Sequence, residues 1–186
     1  MKVFLRDRAE MISVRRMPDD SVRTGDGPGP VVAEAGTAEI PVLARFHRLM
    51  FEEIWEKRGY PVTEGSMRAV EEQYIRKLRE GFSDGNCRAW VVKQDGRIVS
   101  GGAVSIATYV PVPFDPSSRI GFVHSIYTEK DERHKGHAGR IVRAATAFCK
   151  SAGIHRVYLF ASAEGRPVYE KEGFVPVENT MLAVLR

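Results

Sequence analysis

The spacing of apolar residues changes twice between Ile120 and Ser162, and this constrains the fold more than any other feature of the sequence. "IGFVHSIYT" is a β-rich run that predicts a strand over residues 120–128, and "HRVYLFAS" predicts another over 155–162. Between them, apolar residues recur at helical spacing at Ala138, Ile141, Val142, Ala145, Phe148 and Cys149. A strand, a helix and a strand in this order predict two parallel neighbouring strands joined by a right-handed crossover.

Two helices are predicted before this unit. After the short strand "VVAEA", Thr37 is predicted to cap a helix whose apolar face runs from Ile40 to Ile54. The segment 63–82 is predicted to form a second helix that ends near Gly81, because glycine commonly ends helices. Both helices carry an apolar stripe, so each is expected to pack on a sheet.

A hairpin follows, with two β-rich runs between residues 87 and 110 that meet at Asp95 and Gly96. A short helix is predicted over 165–173 and a last strand over 180–185. Because a hairpin is antiparallel and the later strand pair is parallel, we expect an α/β (α+β) fold. Its sheet is mixed and mostly antiparallel, and helices flank it.

The length of 186 residues favours one domain, which we assign to residues 31–186. Residues 1–30 are predicted to be an N-terminal extension and linker, because they end in "DGPGP", which disfavours helix and sheet alike. No apolar run approaches the roughly 20 residues that span a bilayer, and charge resumes too early for a secretory signal. We therefore expect a cytoplasmic protein without a membrane partner.

The 28 basic and 24 acidic side chains are interspersed along the chain, which argues against a nucleic-acid partner. Cys87 and Cys149 lie in no CxxC pair and in no cysteine and histidine cluster with metal spacing. We expect two free thiols and no metal site.

The segment "RHKGHAG", residues 133–139, joins the first strand of the parallel pair to its helix. The first N–H groups of a helix lack carbonyl partners and attract anions, and small side chains let a phosphate reach them. Gly136, Ala138 and Gly139 supply the small positions, while basic residues surround them. The segment fits neither GxxxxGK[ST] nor GxGxxG, so it predicts a polyphosphate site of another kind.

Arg133, Gly136 and Ala138 match the pattern R/QxxGxG/A, and "ASAEGRPVYEKEGF", residues 161–174, carries a tyrosine on a short helix just before Gly-Phe. With these two matches the chain resembles the GNAT superfamily of N-acyltransferases. The resemblance implies a central parallel pair, here 120–128 and 155–162, that splays apart to hold the pantetheine arm of acetyl-CoA. By position it implies that acetyl-CoA is bound by Ile126, Tyr127, Thr128, Arg133, His134, Lys135, Gly136, His137, Ala138, Gly139, Arg140 and Ser162.

The implied reaction is direct attack of a primary amine on the acetyl thioester. The resemblance assigns Tyr169 to the departing thiolate, which it would hydrogen-bond; the alternative is a core aromatic residue beside Phe174. For the base we expect His124, two residues before Ile126 and on the same strand face, where similar enzymes often carry a glutamate. A packed, hydrogen-bonded His124 without a catalytic role is the alternative.

The acceptor amine is left open by the sequence. The resemblance implies that it is shaped by residues 51–60 and 109–119, whose aromatic side chains can equally form core or a contact in a homodimer. Because the glutamate is replaced, a CoA-binding sensor or assembly module without turnover is the alternative function.

Overall fold

The computed structural model describes residues 29–177 and 181–183, which form one mixed sheet covered by helices on both faces. The strands, in their order across the sheet, are β1 (Val31–Glu34), β2 (Cys87–Gln94), β3 (Arg97–Thr108), β4 (Arg119–Thr128) and β5 (Val157–Tyr158). The helices are α1 (Ile40–Lys57), α2 (Glu64–Ser83), α3 (His137–Ser151) and α4 (Arg166–Lys171). β4 and β5 are parallel and the other pairs are antiparallel, which confirms the predicted fold class.

Two apolar cores lie on opposite faces of the sheet. On one face α1 and α2 pack on the strands, with Leu43, Tyr74 and Leu78 buried. On the other face α3 buries Ile141 and Cys149 against β3 and β4. Burial of a large aliphatic side chain such as Leu43 or Ile141 contributes roughly 1.5–3 kcal/mol to the free energy of unfolding. Both helix layers are therefore held mainly by apolar contact with the sheet.

The two predicted helices before β2 are confirmed, with corrected ends. α1 begins at Ile40 after a 3-10 turn at Thr37–Glu39, so Thr37 is not its cap. Thr63 does cap α2, but α2 continues through Gly81 to Ser83. A Cβ at position 81 would lie 2.4 Å from the Cβ of Cys87, so the glycine allows β2 to start against the helix.

The hairpin and the parallel pair are also confirmed. Asp95 and Gly96 have φ angles of 50° and 75° and join β2 to β3. β5 is much shorter than predicted, because only Val157 and Tyr158 pair with β4, through Gly121 and Phe122. The predicted strand over 180–185 is absent at residues 181–183, and its other residues, like residues 1–28 of the predicted extension, lie outside the described ranges.

A β-bulge at Ser125 changes the direction of side chains within β4. Ala103 pairs with His124 and Gly101 pairs with Tyr127, so Gly102 faces two residues of β4. Ser125 has a φ of 58°, which belongs to the left-handed region. As a result His124 faces α2 whereas Ile126 packs with the α3 core. The expectation that these two side chains share a face is therefore wrong, because the bulge adds one residue between them.

Candidate functional site

The segment between β4 and α3 is a tight loop that ends in a left-handed glycine. Gly136 has a φ of 80° and precedes the first residue of α3, and a Cβ there would meet no atom within 4 Å. The glycine is needed for its backbone angle, and the space outside it is open. The first intrahelical bond of α3 runs from the N–H of Arg140 to the carbonyl of Gly136 at 3.2 Å. The three preceding N–H groups are therefore without helical partners and available to an anion.

Arg133 is turned away from this loop end and anchors the loop to α1. Its Nη2 donates to both carboxylate oxygens of Glu53, at 2.8 and 2.9 Å, and its Nε donates to the carbonyl of Thr128 at 3.1 Å. The guanidinium also lies 5.4 Å from the ring centre of Tyr127, whose hydroxyl donates to Glu53 at 3.1 Å. Arg133 thus sets the position of the loop instead of presenting its charge at the loop end.

The other basic residues of the loop differ in where their side chains lie. The His134 side chain is exposed, and its φ of 65° contributes to the turn. The Lys135 ammonium donates to Glu132 at 2.8 Å. His137 is buried, 3.6 Å from the Glu132 carboxylate, and neither of its ring nitrogens hydrogen-bonds a described residue. Burial lowers the pKa of His137, so its imidazole is neutral at pH 7 and only its backbone N–H is offered to an anion.

Gly139 is small for a reason other than phosphate access. A Cβ at this position would lie 2.8 Å from Oε1 of Glu172. That oxygen also accepts a hydrogen bond from Nη1 of Arg143 at 2.6 Å, and the Glu172 residue is 8% exposed. The glycine therefore lets the end of α4 pack against the start of α3. Ala138 is half-buried beside it.

A gap opens between the two parallel strands. Pairing of β4 with β5 stops at Phe122, so residues 123–128 have no described strand on that side. Ile126, Tyr127 and Thr128 lie in this unpaired part, and apart from the Thr128 carbonyl, which accepts from Arg133, their backbone groups on that edge are available to an extended ligand. At the other border of the gap, the Ser162 hydroxyl accepts the N–H of Gly165 at 3.1 Å and so supports the start of α4.

Tyr169 lies on α4 and is largely buried. Its ring packs edge-on against Phe174, with ring centres 6.2 Å apart, and against Gly165, where a Cβ would lie 3.1 Å from it. Burial raises the pKa of Tyr169 to about 12, so the phenol stays protonated over the physiological range. Its hydroxyl makes no hydrogen bond to another described residue and is therefore a free donor.

A cluster of polar side chains lies between β4 and the α1 and α2 helices; we call it the histidine cluster. Its members are His47, Tyr74, Lys77, Ser105, His124 and Ser125. The His47 ring stacks on Tyr74 with centres 3.9 Å apart, and the Tyr74 hydroxyl lies 3.1 Å from Nδ1 of His124. Tyr74 thus holds both imidazoles in place.

Both imidazoles of the cluster are neutral at pH 7. Burial, together with the positive charge of Lys77, lowers the pKa of His47 to about 4 and that of His124 to about 3. Burial also raises the pKa of Tyr74 above its ordinary value. A proton taken up by either histidine is therefore held weakly and passes on readily.

The predicted acceptor region is organised by one aromatic row and one buried ion pair. His47, Phe51, Trp55 and Tyr60 follow one another with edge-on contacts of 4.9, 6.4 and 6.2 Å between ring centres. The loop between β3 and β4 is fixed by Arg156, whose Nε donates to Asp115 at 2.6 Å. The same guanidinium donates to the carbonyls of Val110 and Ser117 at 2.9 and 3.1 Å.

Sequence reasoning found the loop, the strands and Tyr169, but not most of the histidine cluster. Of this cluster, the sequence singled out His124 alone, and none of His47, Tyr74, Lys77, Ser105 and Ser125, as a site residue. The available signal was weak: His47 lies one turn after Leu43 on the buried face of α1, where a titratable side chain needs polar partners. The partners themselves come from α2, β3 and β4, which only the fold brings together.

The described part of the chain contains no helix that is both long and apolar enough to cross a membrane. No group of three or more histidine, cysteine or acidic side chains that could hold a metal ion occurs among the described residues.

Comparison with known proteins points to one family. Residues 47–174 match the model of the acetyltransferase (GNAT) family. A GCN5-related N-acetyltransferase from Ralstonia eutropha JMP134 superposes with a TM-score of 0.73 at 20% identity, over 84% of this chain and 99% of that one. A predicted acetyltransferase from Clostridium acetobutylicum, crystallised with acetyl-CoA, superposes with a TM-score of 0.71 at 20% identity, over 83% and 96%.

A third solved structure, the glucosamine-6-phosphate N-acetyltransferase from Arabidopsis thaliana, superposes with a TM-score of 0.61 at 20% identity, over 86% of this chain and 100% of that one. No curated protein sequence matches this chain. At these identities the solved structures support a shared fold, and the family match extends over most of the described residues.

Proposed function

The chain belongs to the acetyltransferase (GNAT) family, and from this we propose that it transfers an acetyl group from acetyl-CoA to a primary amine by direct attack on the thioester. The observation that carries the proposal is the gap between β4 and β5, which leads to the left-handed turn at Gly136 and to the free N–H groups of α3. An extended chain ending in a pyrophosphate matches both parts, because strand edges bind extended backbone-like groups and helix starts bind phosphates.

In this proposal the pyrophosphate of acetyl-CoA binds main-chain N–H groups between His134 and Arg140. The pantetheine arm hydrogen-bonds the free edge of Ile126 to Thr128, and Ser162 borders it on the other side. Arg133 contributes through its ion pair with Glu53, which sets the position of the loop. This assignment keeps every residue predicted from the sequence in the site and gives Arg133 and Gly139 positioning roles.

We assign Tyr169 to the leaving sulfur as a hydrogen-bond donor. With a phenol pKa of about 12 and a thiol pKa of about 8.5, complete proton transfer to the thiolate would cost about 5 kcal/mol. A hydrogen bond avoids this cost and still stabilises the negative charge that develops on sulfur. Tyr169 is the nearest candidate by family position, and its hydroxyl is free to donate.

We assign His124 to carrying away the proton that the amine loses after attack, through the hydrogen bonds that surround its ring. Because burial lowers its pKa to about 3, His124 is unprotonated at pH 7 and can receive a proton, but it does not retain one. Its hydrogen bonds to Ser125 and Ser105 supply one path on each side of the ring for a proton to arrive and to leave. A cytoplasmic location fits such an enzyme, since acetyl-CoA is its cosubstrate.

The first test is isothermal titration calorimetry of the full chain with acetyl-CoA. We expect micromolar binding by the wild type and loss of binding in Gly136→Val. Gly153→Val is the matched control, because Gly153 has a φ of 69° and equally open space at the other end of α3. It carries the same backbone strain but lies far from the loop, so acetyl-CoA should still bind.

The second test is a screen for thiol release from acetyl-CoA with amine acceptors. The panel contains an amino acid, a polyamine, glucosamine 6-phosphate and a peptide with a free N-terminus. Acetyl-CoA binding with turnover of at least one amine supports the proposal. Binding without turnover on any member would instead support a CoA-binding sensor, and no binding by a folded wild type would exclude both.

A further inference from the structure

Five members of the histidine cluster are joined in one unbroken line of hydrogen bonds. We propose that this line, from His47 through Ser125, His124 and Ser105 to Lys77, is a proton relay that carries the amine proton from the acceptor site to solvent. The proposal rests on the proposed acetyl transfer and deepens it, because it names the path of the proton and adds His47, Lys77, Ser105 and Ser125 to the predicted His124. Lys77 is the exposed end of the line.

Each link is within hydrogen-bonding distance. The Ser125 hydroxyl lies 2.8 Å from Nδ1 of His47 and 3.1 Å from Nδ1 of His124. On the other side of the ring, Nε2 of His124 lies 2.9 Å from the Ser105 hydroxyl. The Lys77 ammonium donates to that hydroxyl at 2.7 Å. The bulge makes this possible, since it directs both His124 and Ser125 to the same face.

The line can be polarised in either direction, as a proton relay requires. In one direction Lys77 donates to Ser105, the Ser105 hydroxyl donates to Nε2 of His124, Nδ1–H of His124 donates to Ser125, and the Ser125 hydroxyl donates to Nδ1 of His47. In the other direction each hydrogen bond between His47 and Ser105 exchanges its donor and its acceptor. The Ser105 proton is then directed at the Cys87 sulfur, 3.9 Å away. In both states every hydrogen that lies along the line between Lys77 and His47 has an acceptor.

The transfer balances atom by atom. As the amide C–N bond forms and the C–S bond breaks, the amine N–H proton moves to Nε2 of His47, and its Nδ1 proton moves to Ser125. Ser125 passes its own proton to Nδ1 of His124, and His124 passes its Nε2 proton to Ser105. Ser105 passes its proton to Lys77, which has released one of its own to solvent. The thiolate leaves with the electron pair of the C–S bond.

The surroundings of the two imidazoles favour release of a bound proton over its retention. The titratable groups that face them are Tyr74 and Lys77 from α2, Cys87 from β2 and, across Ser125, each other. None of these is a carboxylate that could hold an imidazolium. Because the histidines are buried without an anion, a proton on either ring passes on to the next group.

The first test reads the relay without an acceptor or acetyl-CoA. Long-range nitrogen–proton NMR of the full chain assigns the tautomer of each imidazole at pH 7. Both polarisations require opposite tautomers, with the proton on Nδ1 of one histidine and on Nε2 of the other. Equal tautomers would overturn the proposal, because the line would then be interrupted at Ser125: with both protons on Nδ1 neither ring accepts from Ser125, and with both on Nε2 Ser125 can donate to only one ring. Because no turnover is needed, this result is independent of the proposed function.

The second test separates proton transfer by Lys77 from hydrogen bonding by Lys77. The assay is thiol release from acetyl-CoA with the fastest amine of the panel, in the full chain. Lys77→Met should lower kcat about tenfold with little change in KM, and Lys77→Arg should be equally slow, because a guanidinium donates hydrogen bonds but does not release its proton. Arg79→Met, which removes a charge two residues further along α2, should leave kcat unchanged.

A proton relay also predicts rescue by buffer. The rate of Lys77→Met should rise with the concentration of HEPES, a tertiary amine that has no N–H to be acetylated, whereas the wild type should not respond. Wild-type kcat in Lys77→Arg, or no buffer response in Lys77→Met, would show that Lys77 only orients Ser105 and would overturn the relay. If the wild type itself has no turnover, the proposed acetyl transfer fails, and the tautomer measurement alone decides whether the line exists.

Discussion

Both carboxylate oxygens of Glu53 accept hydrogen bonds from the Nη2 of Arg133, at 2.8 and 2.9 Å, although 80 residues separate the two in the chain. The pair ties the loop before α3 to the C-terminal half of α1. It is partly exposed, with side-chain exposures of 34% for Arg133 and 21% for Glu53. A partly exposed ion pair contributes about 1 kcal/mol to stability. Its loss should therefore loosen the loop without unfolding the protein.

Glu53→Gln should therefore weaken acetyl-CoA binding about fivefold in calorimetry, because the loop that presents the N–H groups of α3 loses its anchor. Glu52→Gln is the matched control, since Glu52 pairs with Arg48 on the same helix and makes no contact with the loop. Equal effects of the two substitutions would contradict a positioning role for Arg133.

Tyr169→Phe should lower kcat about tenfold and leave the KM for acetyl-CoA nearly unchanged, because the hydroxyl is proposed to act on sulfur only as the thiolate departs. Steady-state kinetics with the amine from the panel measure both constants. As burial raises the pKa of Tyr169 to about 12, the wild type should show no alkaline loss of kcat from this residue below pH 10. A wild-type kcat in Tyr169→Phe would leave the ring with a packing role only.

Removal of Asp115 should destabilise the protein more than any exposed charge substitution. Arg156 and Asp115 form an ion pair with side-chain exposures of 6% and 2%, so Asp115→Asn leaves a buried guanidinium without its counter-charge. We expect a loss of about 3 kcal/mol, or roughly 6–12 °C in Tm by calorimetry. Lys57→Met, which breaks the exposed pair with Glu164, should change Tm by less than about 2 °C. A similar Tm for both variants would contradict this assignment of the loop anchor.

The stability of the protein should fall as the pH is lowered from about 6.5. In the folded state the pKa of His47 is about 4 and that of His124 about 3, whereas both are near 6.5 in the unfolded chain. Between these values the unfolded state binds more protons, so the free energy of unfolding rises with pH by up to about 1.4 kcal/mol per pH unit for each histidine. The contribution is complete above pH 6.5 and is lost as the pH falls toward 4 for His47 and toward 3 for His124.

Urea unfolding at pH 7, 6 and 5 measures this slope. His124→Gln should reduce this slope by up to about 1.4 kcal/mol per pH unit, the contribution of one bound proton. His155→Gln, at an exposed position, should leave the slope unchanged. A slope in His124→Gln equal to that of the wild type would mean that His124 titrates normally in the folded protein.

Features that depend on neighbouring residues were predictable from the sequence. Asp95 and Gly96 formed the expected turn, the segment predicted as the second helix formed α2, and the apolar spacing from Ala138 onward formed α3. The loop that ends at Gly136 was expected between a strand and a helix, although the left-handed backbone of this glycine was not. In each case the physical cause lies within a few residues of the feature.

Features that depend on distant pairing were not predictable. The face of His124 is set by the register of β4 on β3, which no local period contains. Ser125 meets His47 across 78 residues of sequence, and Arg156 meets Asp115 across 41. Gly139 was expected to make room for phosphate, but it makes room for a carboxylate that arrives from the end of α4.

The bulge in β4 has a consequence for how freely the strand can vary. Val123 and Ile126 pack with the α3 core, and His124 and Tyr127 face α1 and α2, so inward and outward positions would alternate regularly if Ser125 were removed. Ser125 is thus a supernumerary residue that neither core requires for its alternation. Its side chain belongs to neither apolar core, so this position in the middle of a buried strand holds a polar group without loss of apolar packing, within the limits set by its φ of 58°.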